Sequence, residues 1–161
     1  MDTNRDFSEL LSALNSAKVR YLLVGAHAVA YYVEPRYTKD LDVWVEATPE
    51  NAARVWEALL QFGAPLKGST PADFADERKV FQMGVEPQRV DILMGIDGVT
   101  FATAWENRRP TTYGGVSTFV LGLKDLVRNK QTSGRPQDLL DLKRLRARRA
   151  APVWPKRKRR T

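Results

Sequence analysis

The chain has 161 residues, 43% of them hydrophobic, no cysteine and a formal net charge of +7. That length gives one domain with a single core, and the lack of cysteine excludes disulfides and thiolate metal sites. No apolar run approaches the ~18 residues a membrane span requires, so no membrane partner is expected and a cytoplasmic location is the simplest reading.

Phe7, Leu10, Leu11 and Leu14 repeat at helical spacing and open the chain with an amphipathic helix. Residues 19–24 form a short apolar run with the character of a buried strand. The Ala-rich segment 25–33 reads as a helix stopped before Pro35. Residues 40–46 read as a second strand. Thr48 followed by Pro49 and Glu50 caps a helix that runs to about Phe62 and stops at Gly63. Residues 68–76 are loop-like. Residues 79–84 and 88–94 read as a strand hairpin turning near Pro87, and residues 101–107 as a short helix. Residues 111–113 and 116–121 flank Gly114-Gly115, a strong hairpin signal. Two helices, 123–132 and 136–149, divided at Ser133-Gly134, close the pattern. The fold class expected is α+β: a mixed β-sheet with flanking helices in one minimal domain, residues 1–149, followed by a basic C-terminal arm, 150–161.

Charge is spread unevenly. Residues 143–161 hold ten basic and no acidic residues, leaving 16 basic against 19 acidic elsewhere. A slightly acidic body with a basic arm points to a polyanionic partner, RNA above all. The alternative is a solvated helix end with no partner. Pro152 and Pro155 break any helix around Trp154, which is placed to stack on RNA bases.

The chemistry is carried by acids. Asp40 and Asp42 lie one residue apart on a predicted strand, so both side chains emerge on one face while Leu41 and Val43 face the other. Carboxylates held that close repel unless a cation sits between them. Hard oxygen ligands suit Mg²⁺ completed by a substrate's phosphates. Asp91, framed by Val90 and Ile92, supplies a third acid in the same setting. Three acids buried among apolar strand residues without a cation are costly. Phosphoryl or nucleotidyl transfer follows.

Val24-Gly25-Ala26, thirteen residues, Asp40-Leu41-Asp42-Val43 and then Val90-Asp91-Ile92 resemble the nucleotidyltransferase superfamily, with its DNA polymerase β-like fold. Ala26 stands where Gly or Ser is usual. The segments Arg36-Tyr37-Thr38-Lys39 and Lys130 through Arg135, Asp138 and Asp141 resemble the AbiEii-type toxin nucleotidyltransferases and their small stand-alone relatives, over residues 7–147 or so.

The resemblance implies a reaction of NTP and an acceptor hydroxyl giving a nucleotidylated acceptor and pyrophosphate. It implies Asp40, Asp42 and Asp91 as catalytic acids holding two Mg²⁺ ions. Gly25 and Ala26 would border the phosphates, and Arg36, Lys39 and Lys130 would bind the nucleotide, Lys130 as a mobile point charge. The acceptor implied is RNA, plausibly tRNA, in a toxin–antitoxin setting with a cognate toxin or antitoxin as partner. A protein or a small antibiotic-type acceptor, or a non-catalytic nucleotide-binding or antitoxin module, are the alternatives. His27, the one histidine, is read as a satisfied helix residue and Asp141 as structural; Arg135 and Asp138 are expected either to cap the last helix or to serve the site.

Overall fold

The computed structural model describes residues 4–33, 40–84 and 88–150. Helix α1, Arg5–Ser16, is capped by the Asn4 side chain, which accepts from the Phe7 amide. It ends where Lys18 adopts φ +59° and the Val19 amide returns to the Leu14 carbonyl. The strand expected from residue 19 therefore begins later, as β1, Tyr21–Val24. Helix α2, Gly25–Tyr32, follows without a linker, and β2 spans Leu41–Val45. Helix α3, Pro49–Phe62, has the expected Thr48 cap and a left-handed Gly63 behind it.

The loop expected over residues 68–76 contains a short 3₁₀ turn, Pro71–Ala75, because the Thr70 amide donates to the Asp73 carboxylate and closes a capping box. Strands β3, Val80–Met83, and β4, Val90–Leu93, pair antiparallel as expected. Helix α4, Phe101–Glu106, then leads to the hairpin of β5, Arg109–Tyr113, and β6, Val116–Val120. Helices α5, Leu123–Ser133, and α6, Pro136–Ala150, complete the fold. Of the basic arm, only Ala150, the last residue of α6, lies within the described residues.

The six strands form one sheet in the order β3-β4-β2-β1-β6-β5. Two pairings are parallel, β2 with β4 and β1 with β6, and the rest antiparallel. A mixed sheet with helices packed on it is thus the architecture, matching the α+β expectation. Leu10, Leu11 and Leu14 of α1 and Val55 and Leu59 of α3 are fully buried, each contributing about 1.5–3 kcal/mol by leaving water. No helix among the described residues is long and apolar enough to cross a membrane.

One buried polar group sets how the central strands meet α3. Asn51 is fully buried; its Nδ2 donates to the carbonyls of Arg20 (3.0 Å) and Glu46 (2.9 Å), and its Oδ1 accepts from the Arg20 amide (2.8 Å). It thereby joins the residue before β1 to the residue after β2. Asn51→Ala removes the partner of the Arg20 amide and of the Glu46 carbonyl, while the Arg20 carbonyl keeps the Glu46 amide (3.1 Å), and is expected to cost roughly 1–3 kcal/mol in urea unfolding. A cost below about 0.5 kcal/mol would show that the strand ends hold their register without it.

Candidate active site

The site begins at the junction of β1 and α2. Gly25 has φ +64°, a conformation side chains rarely adopt. Register supplies a second reason for glycine: Val24 pairs with Asp42, so Gly25 lies against the Asp42 carboxylate. A Cβ on Gly25 would stand 2.9 Å from Asp42 Cγ and closer still to Oδ2. The absent side chain is what makes room for the acid. Ala26, half-buried, is the next residue of α2.

On the other side of β2, Asp42 pairs directly with Asp91 of the parallel strand β4. Two carboxylates are therefore fixed side by side by backbone hydrogen bonding alone. Asp40 precedes β2 by one residue and is partly buried. Asp40, Asp42 and Asp91 thus lie at the same end of the neighbouring strands β2 and β4. Burial first, then the negative charges of Asp91 and Asp40, push the Asp42 carboxyl up to about 6, against the opposing pull of Lys130 and Arg89.

Arg89, which the sequence motifs do not single out, lies among the acids. Its Nε donates to Asp91 Oδ1 at 3.0 Å and a terminal nitrogen to Asp91 Oδ2 at 3.3 Å. The same terminal nitrogen is 3.5 Å from Asp40 Oδ2. The signal was available: Arg89 stands two residues before Asp91, the spacing that shares a strand face. Asp40 Oδ1, by contrast, is buried with no hydrogen-bond partner among the described residues. No three acidic or imidazole groups among the described residues close up into a cation shell. Arg89 takes up two of the three carboxylates, Asp91 and Asp40.

Lys130 of α5 is placed differently from the mobile point charge expected of it. It is 5% exposed, with its Nζ 3.1 Å from Asp138 Oδ1 and 3.2 Å from Asp141 Oδ2. Asp138 also accepts from Ser133 Oγ (2.8 Å), the Arg135 amide (3.2 Å) and Arg135 Nε (2.8 Å). Burial alone would raise the Asp138 carboxyl; the hydrogen bonds from Arg135, Ser133 and Lys130 overcome it and hold the group well below the usual carboxylate range. Asp138 is therefore both the cap of α6 and the partner of Lys130. Asp141, with Gln137 Nε2 donating at 3.0 Å, completes a buried network joining α5 to α6. From there the Lys130 charge still acts on Asp42.

His27 is buried between the rings of Phe7 (6.3 Å) and Tyr113 (5.7 Å) and is hydrogen-bonded to the Asp40 backbone. Burial lowers its pKa, with Asp40 opposing. It is a buried helix histidine, as expected, but only in part a satisfied one: the Asp40 backbone engages the ring, while its Nδ1 atom is buried without a hydrogen bond among the described residues. Trp44 is core, and Trp105 packs under Arg108 at 4.0 Å, so both serve packing. Arg36, Lys39 and Trp154 lie outside the described residues.

A scan against protein-family models finds no match, and no curated protein matches. Solved structures do. A presumptive nucleotidyltransferase of Thermotoga maritima, TM1012, superposes with a TM-score of 0.56 at 18% identity, over 86% of this chain and 89% of that one. The lincosamide antibiotic adenylyltransferase LnuA, solved with lincomycin, superposes with a TM-score of 0.53 at 17% identity, over 90% of this chain and 97% of that one. The chain has the fold of these nucleotidyltransferase structures across most of its length.

Proposed function

We propose that the chain is a nucleotidyltransferase that moves an NMP from an NTP to an acceptor hydroxyl. The observation that carries this is the meeting of Asp40, Asp42 and Asp91 on neighbouring strands against the glycine that opens α2, within that fold. The acceptor oxygen bonds to the α-phosphorus, the bond from that phosphorus to the β-bridging oxygen breaks, and pyrophosphate leaves. Asp91 takes the acceptor's proton on a carboxylate oxygen. Gly25 lets the triphosphate approach backbone N–H groups at the start of α2. Ala26 adds no bulk there, and Lys130 supplies positive charge from its fixed place in the α5–α6 network. Arg36 and Lys39, between α2 and β2 in sequence, are assigned to the nucleotide as well.

Mg²⁺ fits these acids. The donor set is all carboxylate oxygen, Asp40 has a buried oxygen without a partner, and the Asp42 carboxyl is raised in a way that a neighbouring cation would relieve. Asp40, Asp42 and Asp91 would hold two such ions. When bound, the ions lower the acceptor hydroxyl's pKa and neutralise charge on the departing pyrophosphate.

For the acceptor, the basic run of residues 143–161 favours RNA, plausibly tRNA, in a toxin–antitoxin setting. The likeness to LnuA over 97% of that chain favours a second reading, a small hydroxylated molecule of antibiotic type. Label transfer from each α-labelled NTP, with Mg²⁺ and either total tRNA or a lincosamide, separates them. Label on RNA that disappears in Asp42→Ala is expected. Label on the lincosamide instead selects the second reading, and no transfer with no NTP binding in calorimetry overturns nucleotidyl transfer altogether.

The acid cluster also predicts a stability signature. Asp42 has a folded pKa of about 6 against an ordinary value of 3.8. The neutral form is therefore favoured by folding, so its contribution is fully present below about pH 4 and is lost as pH rises through 6. In metal-free buffer at pH 7, Asp42→Asn is expected to unfold at higher urea than the parent, by roughly 1–3 kcal/mol, with the gap closing towards pH 4. An Asp42→Asn protein no more stable than the parent at pH 7 would contradict the crowding of these carboxylates.

A further inference from the structure

The placement of Arg89 goes beyond the assignment of the acids. Its guanidinium forks onto both oxygens of Asp91 and extends one nitrogen into the gap before Asp40. The two contacts are unequal. The pair with Asp91 is bidentate at 3.0 and 3.3 Å, the strong planar geometry of arginine and carboxylate. The contact with Asp40 is a single approach at 3.5 Å, an ion pair at longer than hydrogen-bond strength. The Asp40 carboxylate is 29% exposed and that of Asp91 13%, so the weaker contact is also the wetter one. Arg89 itself is partly exposed, at 34% of its side chain.

We propose that Arg89 is the resident cation of this acid cluster: it holds Asp40 and Asp91 together in the metal-free protein and releases Asp40 when a divalent cation takes that carboxylate. The inference rests on the nucleotidyl-transfer reading of the same acids. Arg89 is a positioning residue here, since it acts on metal and substrate through Asp40 and Asp91. Two effects of removing it oppose each other. Losing the bridge leaves the acids less ordered, which weakens metal binding. Losing a positive charge a few ångströms from a divalent ion strengthens it. Repulsion between a single and a double charge at that range is the larger effect in a partly buried site. Release of Asp40 is therefore the step that opposes metal entry, and charge at position 89 sets the metal affinity.

The test is Mn²⁺ binding without nucleotide, by titration calorimetry or by the signal of free Mn²⁺ in electron paramagnetic resonance. The parent protein is compared with Arg89→Gln, Arg89→Lys and Asp42→Asn, and thermal unfolding of each is recorded in EDTA. Arg89→Gln is expected to bind Mn²⁺ at least about tenfold more tightly than the parent while melting lower in EDTA. Arg89→Lys keeps the charge and is expected to stay within about threefold of the parent, and it also keeps the comparison available if the Gln variant folds poorly. Arg89→Gln with unchanged or weaker Mn²⁺ binding, whatever its melting temperature, overturns the inference and makes Arg89 a purely structural partner of Asp91. If the parent binds Mn²⁺ and Asp42→Asn does not, the metal reading stands through that failure. If neither the parent nor either Arg89 variant binds Mn²⁺, the metal reading fails together with the inference.

Discussion

Electrostatic repulsion among carboxylates gathered at one end of a sheet is the constraint on which the rest of this structure depends. Asp42 and Asp91 cannot move apart, because they are register partners on adjacent parallel strands. Asp42 cannot retreat towards β1 without meeting Gly25, where there is space only because no Cβ exists. Cations placed by the fold moderate the repulsion. Arg89 bridges Asp91 and Asp40 from within the strand layer, and Lys130 acts on Asp42 from the α5–α6 network. The Asp42 carboxyl remains raised even so. Such an arrangement of charges is unfavourable, and under the proposed function a divalent cation would relieve it.

Most of the fold is legible in the sequence because its signals are local. The Leu10, Leu11 and Leu14 stripe, the Thr48 cap with Pro49 behind it, and Gly114-Gly115 between two alternating runs each specify an element without help from distant residues. The acids are legible for a related reason, since a strand's two-residue period places Asp40 and Asp42 on one face and apolar neighbours frame Asp91. Differences arise where a local hydrogen bond that periodicity does not reveal decides the element's ends. The start of β1 moves because Lys18 takes a left-handed turn that returns the Val19 amide to α1. The 3₁₀ turn at Pro71–Ala75 depends on the Thr70–Asp73 capping box.

Lys130 and Arg89 show the limit more sharply. Nothing in the chain around Lys130 says that two acids from the next helix enclose it; its burial follows from how α6 folds back on α5. That docking turns what reads as a solvated, mobile cation into a fixed one. Arg89 carries a readable cue, its parity with Asp91. Its reach to Asp40, however, comes from the pairing of β2 with β4, which only the assembled sheet supplies. Both residues are cations whose roles are set by which carboxylates the topology brings near them.

The acceptor side of the site is governed by chemistry that the acids do not fix. The basic residues from 143 onward bear on the acceptor alone and not on the triphosphate end. The NTP side is common to both readings, so the account stands or falls there. The most direct measurement is a crystal structure with Mn²⁺ and a non-hydrolysable NTP analogue, the ion located by its anomalous signal. The account predicts an ion shared by Asp40 and Asp42, the triphosphate against Gly25, and Arg89 displaced from Asp40 while still paired with Asp91. Triphosphate bound elsewhere, or no ion at the acids with Arg89 still bridging Asp40 and Asp91, would contradict it.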